Sequence, residues 1–402
     1  MVFSCTVDCA WRGGGKSKKI FRHMFTVTTA IVLLLANIVN ATTVVFSAGT
    51  DGTDPYPCIR IPSALAIPQT NIVLAFAECR KWGGDQCFVD NVPNATRAQE
   101  FNRSICMKRS TDGGQSFGAL QSNITNRYSA NPSAVVLPNN KIMLYFNDAL
   151  DKTLYSILSN DLGITWEKSI ALLDNATGDI LTGINGPGNS VVASIVAHNV
   201  TLHVAIYNAN RNNQTMFSSV KIYSSTNYGR TWNNVSPGIQ MFPHLGEPSL
   251  TLLQSGVLIL DARCPDGRGY YPGPKSPCNC NCRGISISKD NGMTWSKTIF
   301  DNTTVVDPDC QGSLLGLRNG SFVFSNPNNP LERIDLAVRL GNDMNGQIAW
   351  SENVVSLASE KTSAGYSSLF ESDNGSVGVL WETEGNNVKC HGEGCSIVLS
   401  FL

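Results

Sequence analysis

Ser110-Thr-Asp112-Gly-Gly114-Gln-Ser116-Phe117 is followed by Ser159-Asn-Asp161-Leu-Gly163-Ile-Thr165-Trp166. The phrase returns as Ser225-Thr-Asn227-Tyr-Gly229-Arg-Thr231-Trp232 and as Ser288-Lys-Asp290-Asn-Gly292-Met-Thr294-Trp295. The shared form is Ser, any residue, Asp or Asn, any residue, Gly, any residue, Ser or Thr, and an aromatic. One such match has odds of roughly a few in a million per start site, so four copies are a repeat. The chemistry is that of a turn. Asp or Asn bonds the backbone two residues on, and Gly supplies a positive φ without a Cβ penalty. The Thr-Trp ending then reads as the opening of a strand, with a large apolar anchor.

The copies start at 110, 159, 225 and 288, a period near 60. That is too long for most solenoids and suits one four-stranded propeller blade. A stretched fifth copy is read at Asp343-Met-Asn-Gly346-Gln-Ile-Ala-Trp350. About 360 residues at about 60 per blade predict six blades. Apolar runs at 72–77, 141–145, 191–206, 257–261 and 376–381 alternate with turns, and no amphipathic run is long enough for a major helix. The reading is all-β, a six-bladed β-propeller, with 42–402 as one domain.

Residues 1–41 stand apart. Lys16, Lys18, Lys19 and Arg22 precede an apolar run of about 16 residues, 24–39, which is short for a bilayer span and right for a signal h-region. Val39-Asn-Ala41 offers a small-residue cleavage site, so the segment reads as a signal peptide or a signal-anchor, the latter attaching the protein to a membrane. Ten Asn-x-Ser/Thr acceptors follow, from Asn94 to Asn374. They fit a glycosylated surface in the secretory pathway, whether secreted, lysosomal or membrane-anchored with a lumenal or extracellular domain. Eleven cysteines lie beyond the leader, an odd number that predicts one unpaired thiol. Cys390 and Cys395 are close enough in sequence to close on each other. Cys278-Asn-Cys280-Asn-Cys282 reads either as a metal site or as a disulfide-stapled loop. The single-residue spacing, with no His among the three, favours the staple. The net charge of −1 gives no reason to expect nucleic acid.

Function must come from side chains on the blade ends. Charged residues stranded in apolar context mark four places: Arg60 between Ile59 and Ile61; Glu78 and Arg80, with Asp85 beyond; Glu247, and after one hairpin Asp261 and Arg263; and Glu332, Arg333 and Asp335, with Tyr366 further on. Taken singly, each has an ordinary reading as a surface charge, a turn residue or a rim tyrosine.

Together, on this repeat frame, the residues resemble the sialidases (exo-α-neuraminidases) of the six-bladed propeller type. The repeated phrase is similar to their Asp box and Arg60-Ile61-Pro62 to their opening arginine motif. Gly186-Pro-Gly-Asn-Ser190 and Asp307-Pro-Asp-Cys-Gln-Gly-Ser313 are also similar to stretches of the family. The likeness runs from about residue 44 to the end. It implies that Arg60, Arg263 and Arg333 grip the carboxylate of sialic acid, a role suited to the planar, always-charged guanidinium. It implies Glu382 as the anion orienting Arg60, with Glu384 the weaker substitute, and Arg80 as a further pocket arginine near the C4 hydroxyl. Most retaining glycosidases attack with a carboxylate, and sialidases are the exception with Tyr. A carboxylate nucleophile would approach a carbon that already bears negative charge, whereas a neutral phenol avoids that repulsion and needs a base beside it. The matching positions are Tyr366 as nucleophile, Glu247 as its base and Asp85 as general acid/base.

The implied function is exo-hydrolysis of terminal α-ketosidically linked sialic acid from glycoproteins, oligosaccharides or gangliosides, by retaining double displacement. Sialylated glycans are the expected partners, with no cofactor and no metal. A non-catalytic sialic-acid-binding propeller and a trans-sialidase are the alternatives. The binding module has no reason to keep Arg60, Arg263, Arg333, Asp85, Glu247 and Tyr366 as a set. Two departures stand out: Asn227 replaces Asp in the third box, and a Cys-rich insert, 264–283, follows Arg263.

Overall fold

A computed structural model describes residues 42–52, 56–82, 87–89, 102–196, 199–212, 215–235, 242, 244–264, 282–301, 303–358, 361–384, 390–391 and 396–402. Val39–Leu402 forms one compact unit. The leader, Asp85, Cys278, Cys280, Cys395 and most of the Cys-rich insert lie outside the described residues.

Six antiparallel sheets follow one another along the chain and form the blades of a propeller. The first holds Cys58–Ala66, Val73–Arg80 and Arg103–Ser110, and the second runs from Ser129–Val136 to Ile170–Ala171. The third is built on the long hairpin Asn199–Asn212 with Thr215–Ser225. The fourth begins at Gly246–Leu252 and the fifth at Ser313–Gly316. The sixth takes Ala364–Glu371, Val377–Thr383 and Ser396–Phe401 from the end of the chain and Thr43–Ser47 from its beginning. That last pairing closes the ring and leaves no open edge there. The apolar run 191–206 holds two paired strands, Val191–Val196 and the start of Asn199–Asn212, rather than one. Among the described residues only the 3-10 turn Pro138–Asn140 is helical.

The apolar core is a set of wedges between neighbouring blades. Leu74 and Phe76 of the first blade pack with Ile142, Leu144 and Phe146 of the second. Val323 and Leu336 of the fifth pack with Leu369 and Trp381 of the sixth, and Phe46, Leu380 and Leu399 of the sixth pack with Ile59 and Ala75 of the first. Each blade therefore buries apolar side chains on both faces, which is why its strands read as near-continuous apolar runs.

The repeated phrase joins the third strand of a blade to its short outer strand. In the second blade the Asp161 carboxylate accepts the Thr165 N–H at 2.9 Å and the Thr165 hydroxyl at 2.5 Å, and Ser159 Oγ accepts the Gly163 N–H at 2.9 Å. These bonds, those of the Thr165 hydroxyl first, hold the Asp161 carboxyl at about 2. Asn227 makes the same turn with one bond reversed: its amide donates to Thr231 Oγ1 at 2.8 Å, and that hydroxyl donates onward to Asn175. Trp232 leads straight into the strand Asn233–Asn234 as the sequence suggests, whereas Trp166 and Trp295 stand in loop. Trp166 packs edge-on against Phe76 and Trp232 against Tyr145, each in the preceding blade. The turns thus rivet one blade to the next.

At the axis the inner strands carry buried serines that bond across to the next blade. Ser368 Oγ accepts the Ala64 N–H, Ser133 Oγ the Ser190 N–H, Ser249 Oγ the Leu314 N–H and Ser313 Oγ the Leu369 N–H, all at 2.9–3.0 Å. Gly186 sits where a Cβ would lie 1.8 Å from the Pro248 carbonyl oxygen, so only Gly allows this approach.

Candidate active site

Ser110 pairs with Val73 and Arg103 with Arg80, so the boxes and the stranded arginines lie at opposite ends of the sheets. The arginine-bearing end is where the innermost strands become irregular. Register breaks fall between Arg60 and Ser63, Ala130 and Ser133, Gly246 and Pro248, and Ala364 and Ser367. A bulge adds an unpaired residue and re-aims the side chains around it. Ile61, Asn131 and Glu247 lie in these breaks with left-handed φ of 62°, 53° and 41°, and Tyr366 lies in the fourth. For a β-branched Ile such a conformation costs on the order of 1–2 kcal/mol. It turns the Ile61 N–H toward Glu382 Oε1, which accepts it at 2.7 Å.

Glu382 is fully buried and its oxygens are saturated. Arg60 donates from Nε at 3.1 Å and from Nη2 at 2.8 Å, and the Tyr366 N–H donates at 2.9 Å. One carboxylate thus fixes Arg60 and the backbone of Tyr366 together. The Tyr366 hydroxyl donates to Glu247 Oε1. Arg263 Nη1 lies 2.7 Å from Glu247 Oε2 and 3.3 Å from the Tyr366 hydroxyl. The Arg60 and Arg333 guanidiniums stand 4.9 and 5.7 Å from the centre of the Tyr366 ring. The three arginines, the tyrosine and Glu247 therefore converge from blades one, four, five and six.

Burial, and then the charge of Glu247, push the Tyr366 hydroxyl well above the ordinary phenol range, while Arg263, Arg333 and Arg60 pull the other way. The phenol keeps its proton at neutral pH, and Glu247 is placed to take it. Burial opposes the charge of Arg263, but Glu247, Tyr366 and Asp309 together more than reverse this and the guanidinium holds its proton more tightly than usual.

Arg80 is buried on a separate carboxylate. Its Nε and Nη2 bond Glu78 Oε2 at 3.0 and 2.8 Å, and Arg103 Nη1 reaches the same oxygen at 3.3 Å. Glu78 Oε1 accepts the Asn131 N–H at 2.8 Å. Burial alone would raise the Glu78 carboxyl, yet Arg103, Arg80 and that N–H hold it below its usual range. Partly buried Tyr207 lies between the two groups: desolvation of its hydroxyl first, and then the charge of Glu247, push the phenol up, while Arg263 and Arg103 pull it down. On the Arg103 side opens a cleft of about 610 Å³, lined by Tyr56, Lys81, Arg103, Arg127 and Asp148 among others. Asp85 lies outside the described residues, between Trp82 and Cys87, and Cys87 is held to Cys58 by a disulfide. A second disulfide joins Cys79 to Cys106, and Cys264 and Cys282 are disulfide-bonded as well.

Sequence reasoning did not assign Glu78 its role and passed over Arg103 and Asp309. Asp309 Oδ1 accepts from Arg263 Nε at 2.6 Å. The signal was present in the quoted stretch Asp307-Pro-Asp-Cys-Gln-Gly-Ser313. Gln311 of that stretch bonds both the N–H and the carbonyl of Ser367, beside Tyr366, at 2.9 and 3.1 Å.

With this geometry in place, comparison with known proteins is direct. Residues 153–379, more than half of the chain, match the BNR repeat-like domain. The chain belongs to the BNR repeat-like domain family. The chain is also similar to a sialidase of Bacteroides fragilis, 27% identical over 144 residues. That match covers 34% of the chain and about a quarter, 24%, of the relative's length. Among solved structures, the NanB sialidase of Streptococcus pneumoniae superposes with a TM-score of 0.66 at 14% identity, covering 92% of this chain and 72% of that one. The intramolecular trans-sialidase of Ruminococcus gnavus superposes with a TM-score of 0.63 at 14% identity, covering 89% and 97%. At such identities the superpositions establish the propeller itself.

Proposed function

We propose that this protein is an exo-α-sialidase that releases terminal α-ketosidically linked sialic acid from glycoconjugates with retention of configuration. The observation that carries the reading is the hydrogen bond from the Tyr366 hydroxyl to Glu247, at a point ringed by Arg60, Arg263 and Arg333. A phenol kept protonated by burial becomes a nucleophile only with a base in contact. Three guanidiniums around it select a substrate that brings its own carboxylate to the reacting carbon.

In the proposed course the arginines hold that carboxylate and Tyr366 attacks the anomeric carbon while Glu247 takes the phenolic proton. Asp85 protonates the leaving oxygen. Water, deprotonated by Asp85, then attacks the tyrosyl sialoside, and Tyr366 leaves as it recovers its proton from Glu247. Arg80, held by Glu78, serves the C4 hydroxyl, and the cleft beside Arg103 gives the rest of the glycan a place. The likeness to an intramolecular trans-sialidase favours a second reading, in which an acceptor hydroxyl of the same sugar replaces water.

The disulfides Cys58–Cys87 and Cys79–Cys106 and the exposed acceptors Asn102, Asn123, Asn175, Asn199, Asn319 and Asn374 support a glycosylated protein of the secretory pathway. In that reading, 1–41 serves as signal peptide or anchor and 42–402 as the catalytic domain. The deciding experiment incubates the purified chain with a fluorogenic α-sialoside, with Tyr366→Phe alongside, and separates the sugar products by chromatography. Free sialic acid identifies the hydrolase and an anhydro sugar the intramolecular transferase. Absence of both products across pH 4–8 defeats both readings.

A further inference from the structure

Three guanidiniums crowded into one pocket repel one another, and Glu382 is spent on Arg60 and two backbone N–H groups. Arg263 and Arg333 meet at a different residue. Asp309 Oδ1 accepts from Arg263 Nε at 2.6 Å, and the main-chain oxygen of Asp309 accepts from Arg333 Nη2 at 3.2 Å. One residue in the segment between the fourth and fifth blades therefore sets the spacing of two arginines from different blades.

Its own position is fixed from both sides. Asp309 has a left-handed φ of 60°. Before it, Asp307 accepts the Cys310 N–H at 2.8 Å and Arg283 Nη1 at 3.0 Å. Buried Arg283 also bonds the Cys310 carbonyl at 2.6 Å and Asp261 at 2.6 Å. After it, Gln311 is tied to Ser367. A loop held this way does not drift when a substrate carboxylate arrives.

We propose that Asp309 is a positioning residue for the sugar carboxylate: it anchors Arg263 by its side chain and Arg333 by its backbone, so that both present donors to one anion. The proposal rests on the sialidase reading above. Arg263 spends Nε on Asp309 and Nη1 on Glu247 and Tyr366, which leaves Nη2 for the substrate. Without the negative charge at Asp309 the guanidinium is free to swing toward Glu247, and the carboxylate cradle opens.

The test compares wild type, Asp309→Asn, Arg263→Lys and the double variant on the fluorogenic α-sialoside, with melting temperature measured in parallel. Asn tolerates the left-handed backbone and keeps the side-chain size, so Asp309→Asn should melt like wild type. Its KM should rise roughly tenfold, the scale of one lost charge-assisted bond, with kcat within about threefold. Inhibition by free sialic acid should weaken by the same factor. Lys has no Nε to meet Asp309, so the double variant should be little worse than Arg263→Lys alone. Unchanged KM in Asp309→Asn, additive losses in the double variant, or a collapsed fold in Asp309→Asn would each overturn the proposal. A wild-type protein that turns over no sialoside would instead sink the sialidase reading.

Discussion

The Tyr366 hydroxyl and Glu247, 119 positions apart in sequence, share a short hydrogen bond with Arg263 bridging both. Two strands from blades four and six deliver them, each through a bulge. Tyr366→Phe should lower kcat by at least ~10³-fold, because the phenyl ring has no nucleophile. Glu247→Gln should cost ~10²–10³-fold through loss of the base. The ring of Tyr366 packs with Ile61 and Cys310, so the Phe variant should keep its melting temperature. Fluorogenic assay with thermal unfolding checks both, and wild-type turnover in Tyr366→Phe would remove the phenol from the chemistry.

Glu382 holds Arg60 in a fully buried pair. Glu382→Gln leaves that cation without a counter-charge and should destabilise the fold by about 3–5 kcal/mol. Urea unfolding at neutral pH measures it; a midpoint equal to that of wild type would show that the pair does not hold the site together.

The boxes make a prediction about stability without activity. Asp161→Asn should cost little, since Asn227 already builds the same turn. Gly163 has φ of 81°, and a Cβ there would lie 2.7 Å from Leu74 Cδ1 in the preceding blade. Gly163→Ala should therefore cost about 2 kcal/mol while KM stays unchanged. Equal stability of the Ala and Asn variants would contradict the riveting role of the turn.

Asp261 gives a pH dependence. One guanidinium, Arg283, faces two buried carboxylates, Asp261 and Asp307. Burial first, with the charge of Asp307 adding to it, pushes the Asp261 carboxyl up to about 6, against about 3.9 in an unfolded chain. The folded state binds this proton more tightly, so the stability it contributes is full below about pH 4 and is lost as pH rises through 6. Asp261→Asn leaves a matched Arg283–Asp307 pair and should remove that slope, worth about 2–3 kcal/mol between pH 4 and 7. Parallel stability curves for the two proteins would refute this.

The repeated phrase made the fold legible because each copy is a local structure: its Ser, Asp, Gly and Thr bond one another within five residues, whatever surrounds them. The count of blades followed from spacing. The destination of the aromatic was not legible, because Trp166 and Trp232 find their partners in another blade. For the site, charge in apolar context pointed to Arg60, Arg80, Glu247 and Arg263, since an unsolvated charge demands a reason, while Tyr366 was reached through the family resemblance. Which carboxylate serves which arginine did not follow. Glu78 holds Arg80 and Arg103 from two positions away and from 25 positions away, and Asp309 reads in sequence as one more turn residue after a proline.

By itself the sequence determined the turn chemistry, the repeat and hence the ring, because those depend on contacts between near neighbours. Only the tertiary structure decided the pairing of charges at the mouth of the propeller. There the innermost strands of the first, second, fourth and sixth blades bulge, and a shift of one residue in a bulge decides whether a side chain faces its counter-ion or the neighbouring blade.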